Sequence, residues 1–119
     1  LGKLIEKPGM KDIIESKYTE FIEGNFEGKA SLLKKKFGNF DFVWFDCGGP
    51  TEYKNFINEY WDICSDYIFF HFTYSNGNPN NLHDIILKNI KGNPLTFDIV
   101  EPHKSRQGSI TMVQKNKFI

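Results

Sequence analysis

The sequence has little of several features that would identify a specialised class of protein. It has one arginine, Arg106, among fifteen basic residues, and fifteen acidic residues bring the formal net charge to zero. A chain without net positive charge lacks the electrostatic attraction that nucleic-acid-binding and membrane-surface proteins use. No run of about 18 apolar residues is present, so a transmembrane helix is not predicted. We therefore expect neither nucleic acid nor a membrane as a partner.

Metal-binding and disulfide-forming residues are also scarce. The two cysteines, Cys47 and Cys64, lie in or beside apolar segments without C-x-x-C spacing, and the three histidines are widely separated. A structural zinc site needs about four such ligands, so we expect none. This use of cysteine is typical of a reducing compartment, and no apolar signal-peptide core follows the first residues. These features predict a cytoplasmic protein.

The chain does contain enough apolar and aromatic residues for one folded core. Of its 119 residues, 39% are hydrophobic and 16% aromatic, which is too apolar for intrinsic disorder and is the size of one domain. The segment 40–45 is nearly continuously apolar after its first two residues, as a strand covered on both faces is. Apolar patterns predict strands over 18–23, 40–45, 67–72, 95–100 and 109–113, and helices after Pro8 and over 28–37, 50–61 and 82–92. Asp66 is predicted to start a turn and 73–81 to form a loop.

This order predicts an α/β fold with an open, mostly parallel sheet that ends in an antiparallel strand pair. Ligands bind such sheets beyond the carboxyl ends of the strands, so the loops 24–26, 46–50 and 71–81 are the candidate site. Gly48 and Gly49 allow close approach of a ligand to the backbone at a helix N-terminus. Their alternative role is simply to permit the turn that Asp46 caps.

Two further side chains in these loops have chemistry to consider. His71, at the end of a predicted strand, is suited to act as a base near neutral pH. Its alternative role is that of a hydrogen-bonded core residue. Cys47 is not expected to be a nucleophile, because the neighbouring Asp46 disfavours its thiolate. Tyr74, Asn76 and Asn78 have the groups to hydrogen-bond a small ligand, although Asn and Gly are also what such a turn uses.

The segment 40–46 (FDFVWFD), preceded by FIEGN at 21–25 and followed by Tyr53 on an aromatic helix, carries a family resemblance. It resembles the carboxyl-terminal half of a class I S-adenosylmethionine-dependent methyltransferase, in particular the small O-methyltransferase-like branch, over about residues 18 to 115. The resemblance implies a Rossmann-like sheet, S-adenosylmethionine as cofactor and a small-molecule methyl acceptor. It implies His71 and Asp46 as catalytic residues, and as cofactor-binding residues Gly24, Asn25, Asp46, Cys47, Gly48 and Gly49.

The sequence departs from the family pattern in ways that limit this expectation. The family's first two strands, which carry a Gly-rich loop and a ribose-binding acid, have no counterpart, and no G-x-G occurs. The Asp-Asn pair of the metal-dependent branch is replaced by His71 and Phe72, so no catalytic metal is expected. A truncated methyltransferase-like domain, weakly active or inactive alone, is the first interpretation. One alternative is a catalytically silent α/β module that dimerises or binds a partner, and another is a small-molecule binder without chemistry. We expect a homodimer through an exposed sheet edge.

Overall fold

The computed structural model describes residues 16–105 and 108–115, together with Gly9 and Asp12. Its helices are α1 (Ala30–Phe37), α2 (Pro50–Tyr60) and α3 (Asn81–Asn89), and a 3₁₀ helix (Trp61–Ile63) continues α2. Its strands are β1 (Phe40–Phe45), β2 (Cys64–His71), β3 (Tyr74–Ser75), β4 (Asn78–Pro79), β5 (Leu95–Val100) and β6 (Ser109–Gln114). The helix predicted after Pro8 lies outside the described residues, apart from Gly9 and Asp12.

The three helices form where apolar periodicity predicts them. Pro50 is at the first position of α2, where its missing N–H costs nothing, and the helix buries a stripe of large side chains, namely Tyr53, Phe56, Ile57 and Tyr60. The last turn of α1 carries three lysines, which complement the partial negative charge of a helix C-terminus. Gly38, with a φ of 80°, then ends α1 by donating its N–H to Lys34 O at 2.8 Å.

The main sheet has four strands in the order β1-β2-β6-β5. β1 and β2 are parallel, with Phe42 opposite Tyr67 and Phe45 opposite Phe70. β6 is antiparallel to both of its neighbours, β2 and β5. The predicted α/β fold and terminal antiparallel pair are confirmed. The prediction of a mostly parallel sheet is wrong, and the sheet is mixed. β1, β2 and β5 run in the same direction, but β6 lies antiparallel between β2 and β5, so only β1 and β2 form a parallel pair.

The two faces of this sheet differ in how they are covered. The central residues of one face, namely Ile68, Phe70 and Val113, are fully buried in a core with α2 and α3. Thr96 and Asp98 of β5, on the same face, are exposed. The register pairs place the alternate residues on the other face. We call this second face the open face; its residues are Phe42, Trp44, Tyr67, Phe69, His71, Leu95, Phe97, Ile99, Ile110, Met112 and Gln114.

The prediction that 40–45 is a strand covered on both faces is wrong. Val43 and Phe45 point to the helices, whereas Phe42 is 59% and Trp44 is 50% exposed. Within the described part of the chain, β1 is also an edge strand, since it pairs with β2 alone. The segment is apolar on both sides because Val43 and Phe45 face the core, while Phe42 and Trp44 form part of an exposed apolar surface.

Two other local predictions are also wrong. Residues 18–23 form no strand; Tyr18 is 86% exposed, and Glu20 forms an ion pair with Lys36 of α1. An alternating segment becomes a strand only where the backbone of a second strand forms hydrogen bonds with it. The backbone groups of α1 are already paired within the helix, so α1 contacts this segment through side chains such as Lys36. Asp66 starts no turn but lies inside β2, which begins three residues earlier than predicted, at Cys64.

The predicted loop 73–81 contains a small hairpin. β3 and β4 pair antiparallel, and the two residues between them, Asn76 and Gly77, have φ values of 53° and 79°. Positive φ at both central positions is what a two-residue type I′ turn requires, and Asn-Gly is its preferred sequence. The hairpin brings Tyr74 towards β5 and β6, where its side chain joins a polar network described below.

Candidate functional site

The candidate site lies where β1 and β2 end side by side. Phe45 and Phe70 are register partners at the carboxyl ends of the parallel strands, so Asp46 and His71 follow at adjacent positions. His71 Nδ1 lies 3.0 Å from Asp46 Oδ2. An ionised carboxylate can only accept a hydrogen bond, so Nδ1 carries the hydrogen in this pair. The strand register thus joins two residues that are 25 positions apart in the sequence.

His71 is held more firmly than Asp46. Its side chain is 17% exposed, against 47% for the Asp46 side chain, and its ring centroid lies 5.7 Å from that of Trp44. The buried Tyr53 donates its hydroxyl to the His71 carbonyl oxygen at 2.8 Å. Burial, together with the nearby Asp46 and Cys47, raises the pKa of the Tyr53 hydroxyl, so it stays a donor at neutral pH. The backbone and ring of His71 are therefore both fixed.

A cavity of about 340 Å³ opens beside this pair. Asp46, Gly48, Gly49 and His71 line it, and the lining also includes Pro50, Tyr53, Phe72, Asn81 and Leu82. This volume lies at the lower end of the roughly 300–1,000 Å³ range of small-molecule pockets. The cavity thus combines a carboxylate, an imidazole and an amide with an apolar wall, which suits a small polar ligand.

The two adjacent glycines have different surroundings. Gly48 has a φ of 74°, and a Cβ placed there would lie 2.6 Å from Glu52 Cγ, so its space is taken by the protein's own side chain. Gly49, the N-cap of α2, is extended, and a Cβ there would meet nothing within 4 Å. Only Gly49 therefore leaves room for a ligand to approach the backbone.

The other predicted site residues lie elsewhere. Asn25 lines a separate apolar groove of about 410 Å³ beside β1, together with Phe26, Trp44 and others. The Asn25 carbonyl accepts a hydrogen bond from Lys29 Nζ at 2.6 Å, and a Cβ on Gly24 would lie 2.7 Å from the same nitrogen. Cys47 is exposed and does not line the cavity. The structure brings Asp46, Gly48, Gly49 and His71 together but separates them from Gly24 and Asn25.

This arrangement does not fit S-adenosylmethionine as a whole. The residues expected to bind it are divided between two surfaces, and Glu52 fills the space at Gly48 where the cofactor was expected to approach. For metals, the described residues contain no group of three or more His, Cys, Asp or Glu side chains that could hold an ion. In the same part of the chain, no helix has the length and apolarity needed to cross a membrane.

A second polar cluster, which the sequence analysis missed, lies where β5 and β6 approach α3. Asp98 of β5 accepts hydrogen bonds from Thr111 Oγ1 at 2.6 Å and from the Tyr74 hydroxyl at 3.0 Å. His83 Nε2 of α3 lies 3.3 Å from the same carboxylate. Burial, followed by the hydrogen bond and the charge of Asp98, raises the pKa of Tyr74. The available signal was the single charged residue in the strand LTFDIV, because a carboxylate accepts hydrogen bonds from hydroxyl groups on neighbouring elements.

No family model matches the sequence, and comparisons with curated proteins and with solved structures found no significant match. The functional argument therefore rests on the geometry of the site.

Proposed function

We propose that this chain is a Rossmann-like, methyltransferase-like α/β domain that takes a small-molecule substrate at the His71–Asp46 pair. The observation that carries the proposal is the 3.0 Å contact of these side chains at the carboxyl ends of the parallel strands, beside a 340 Å³ cavity. The strand-helix-strand-helix order followed by an antiparallel pair agrees with the family resemblance. The free thiols of Cys47 and Cys64 support a cytoplasmic location, and zero net charge supports partners other than nucleic acid or membranes.

In this proposal His71 is the base and Asp46 is its positioning partner. The carboxylate fixes the imidazole tautomer through Nδ1–H and stabilises the imidazolium that forms when the ring takes a proton from a substrate hydroxyl. Tyr53 holds the His71 backbone from the core side. The described residues supply one wall of a cofactor site and not a complete one, so we propose weak cofactor binding and little or no activity for the chain alone.

Titration with S-adenosylmethionine, followed by backbone amide NMR, tests this proposal. We expect a dissociation constant weaker than about 1 mM, with shift changes confined to 46–50 and 71–72. A dissociation constant below about 1 mM would contradict the claim that the cofactor site is incomplete. No shift change in these segments at about 10 mM would contradict the cofactor assignment itself.

Two matched variants locate the binding. Asp46→Asn removes the charge beside His71, directly after β1. Asp41→Asn removes a charge from an exposed position within β1, where the carboxylate accepts a hydrogen bond from the Ser65 hydroxyl. We expect Asp46→Asn to weaken the shift changes about tenfold, as for loss of a hydrogen bond to a charged group, and Asp41→Asn to leave them unchanged. Equal responses of the two variants would exclude a specific role for Asp46.

The second candidate is a catalytically silent module that forms a homodimer through the edge of β1. The observation that favours it is that, in the described part of the chain, this edge is unpaired and carries neither lysine nor proline, which proteins use to protect edges. The apolar groove beside it would receive side chains of an added strand. A dimeric mass in light scattering of the purified chain, together with no response to S-adenosylmethionine, would favour this candidate over the first.

A further inference from the structure

The open face of the sheet is large, apolar and uncharged. Apart from His71, none of its residues is ionisable near neutral pH, although a quarter of the whole chain is charged. Five of its side chains are between 41% and 65% exposed, namely Phe42, Trp44, Leu95, Phe97 and Ile99. A surface of this kind is the usual sign of a protein interface.

The exposed area of this face is close to what one side of a stable dimer needs. Side chains of this size offer about 150–250 Å² each, so the five together expose about 500 Å² of apolar surface. The half-buried residues between them bring the face to about 700 Å². The largest apolar patch on a typical monomer is about 300–600 Å², and a standard interface buries about 800 Å² on each partner.

The two halves of the open face differ in shape. On β1 and β2 the rings of Phe42 and Trp44 stack on Phe69, at interplanar angles of 25° and 18°, and form a continuous aromatic cluster. On β5 the branched or bulky side chains of Leu95, Phe97 and Ile99 project separately. A two-fold axis that runs parallel to the strands, between the two sheets and over the middle of the open face, would lay the β1–β2 half of one copy on the β5–β6 half of the other.

We infer that the open face is the interface of a homodimer in which two copies pack sheet against sheet. An uncharged face needs an equally uncharged partner surface, and the same face of a second copy is one. Zero net charge means that two copies do not repel each other at long range. Packing at about 10 Å between sheets would interdigitate the side chains as in a β-sandwich. This inference does not rest on the proposed methyltransferase-like function. It differs from pairing through the edge of β1 in using the side chains of β5 and β6, although Phe42 and Trp44 also line the groove beside that edge.

Light scattering over about 1 to 200 µM protein tests the inference. We expect the wild-type chain to be dimeric at the upper end of this range. Phe97→Lys should weaken dimerisation about a hundredfold, because each dimer loses two buried rings and must bury two charges. Thr96→Lys, the matched control, adds the same charge at an exposed position on the opposite face of β5 and should leave the dimer intact.

Several results would overturn the inference. A wild-type chain that is monomeric throughout the range would exclude a second copy as the occupant of this face. A dimer that survives Phe97→Lys would exclude the open face, and pairing through the edge of β1 predicts this result, since β5 lies at the other side of the sheet. Far-UV circular dichroism verifies that each variant folds. If Phe97→Lys does not fold, Ile99→Lys, at the most exposed of the five positions, makes the same test.

Discussion

The buried thiol of Cys64 is expected to make this protein sensitive to alkali. Cys64 is fully buried at the start of β2. Burial raises the pKa of the Cys64 thiol from 9.0 to about 11, and the nearby Lys115 offsets only part of this effect. Because the folded state holds this proton more tightly, its contribution to stability is complete below pH 9 and is lost as the pH rises from 9 to about 11.

The size of this loss follows from the two pKa values. One pKa unit corresponds to about 1.4 kcal/mol, so the limiting loss is about 2.7 kcal/mol. At pH 10 the unfolded thiol is about nine-tenths ionised and the folded thiol about one-tenth, which costs about 1.3 kcal/mol of unfolding free energy relative to pH 8. Burial is also the largest cause of the raised pKa of Tyr53, Tyr60 and Tyr74, and their ionisation lowers stability at high pH in all three proteins. Cys47 adds to the pKa shift of Tyr53 and Cys64 to that of Tyr60, each less than burial does.

Urea unfolding followed by circular dichroism, in the presence of a reductant at pH 8 and pH 10, measures this loss. Cys64→Ala removes the buried thiol, and Cys47→Ala removes an exposed one as a control. The change between the two pH values is compared within each variant, because Cys64→Ala also deletes buried atoms. We expect wild type and Cys47→Ala to lose about 1.3 kcal/mol more than Cys64→Ala. Equal losses in all three proteins would refute the reasoning.

Two further predictions concern the polar groups that hold α3 and β5 in place. Asn80→Ala should lower the free energy of unfolding in urea by about 1–2 kcal/mol, because Asn80 Oδ1 caps α3 by accepting hydrogen bonds from the N–H groups of Leu82 and His83. Asn80→Asp keeps the cap and should recover part of the loss. An Asn80→Ala variant as stable as wild type would contradict the capping role. Asp98→Asn should cost about 1–3 kcal/mol, because it replaces a charged acceptor of two hydroxyl groups by a neutral one. A double-mutant cycle with Tyr74→Phe should then show a coupling energy, and strictly additive effects would mean that the two side chains do not stabilise each other.

Local patterns predicted most of the elements because their causes are local. β1 and β5 begin and end at the predicted residues, and α2 begins at Pro50. The failures concern partners. Residues 18–23 alternate like a strand but pair with no strand in the described part of the chain, although the outer edge of β1 is unpaired. Asp66 is polar like a turn residue but lies within β2, the neighbour of β1 and β6.

The candidate site was predicted in part for the same reason. Asp46 directly follows β1 and His71 ends β2, so the rule that loops at the carboxyl ends of strands converge was enough to bring them together. Gly24 and Asn25 were grouped with them because 18–23 was predicted to be a strand of the same sheet, and the resemblance pointed to the same residues. That strand does not form, and Asn25 lines a different groove. The Asp98 network was missed, because Asp98, Thr111 and Tyr74 meet only through the β5–β6 register and the β3–β4 hairpin.

The sequence by itself determined the α/β class, the order of the main strands and helices, and the presence of polar residues after β1 and at the end of β2, because periodicity and turn chemistry act within a few residues. The tertiary structure alone decided which strands are neighbours and which sheet face is covered. The residue type of an apolar side chain does not tell whether that side chain will face a helix or solvent. Phe45 and Trp44 are adjacent in one strand, yet one lies in the core and the other on the open face, and only the packing of α2 and α3 distinguishes them.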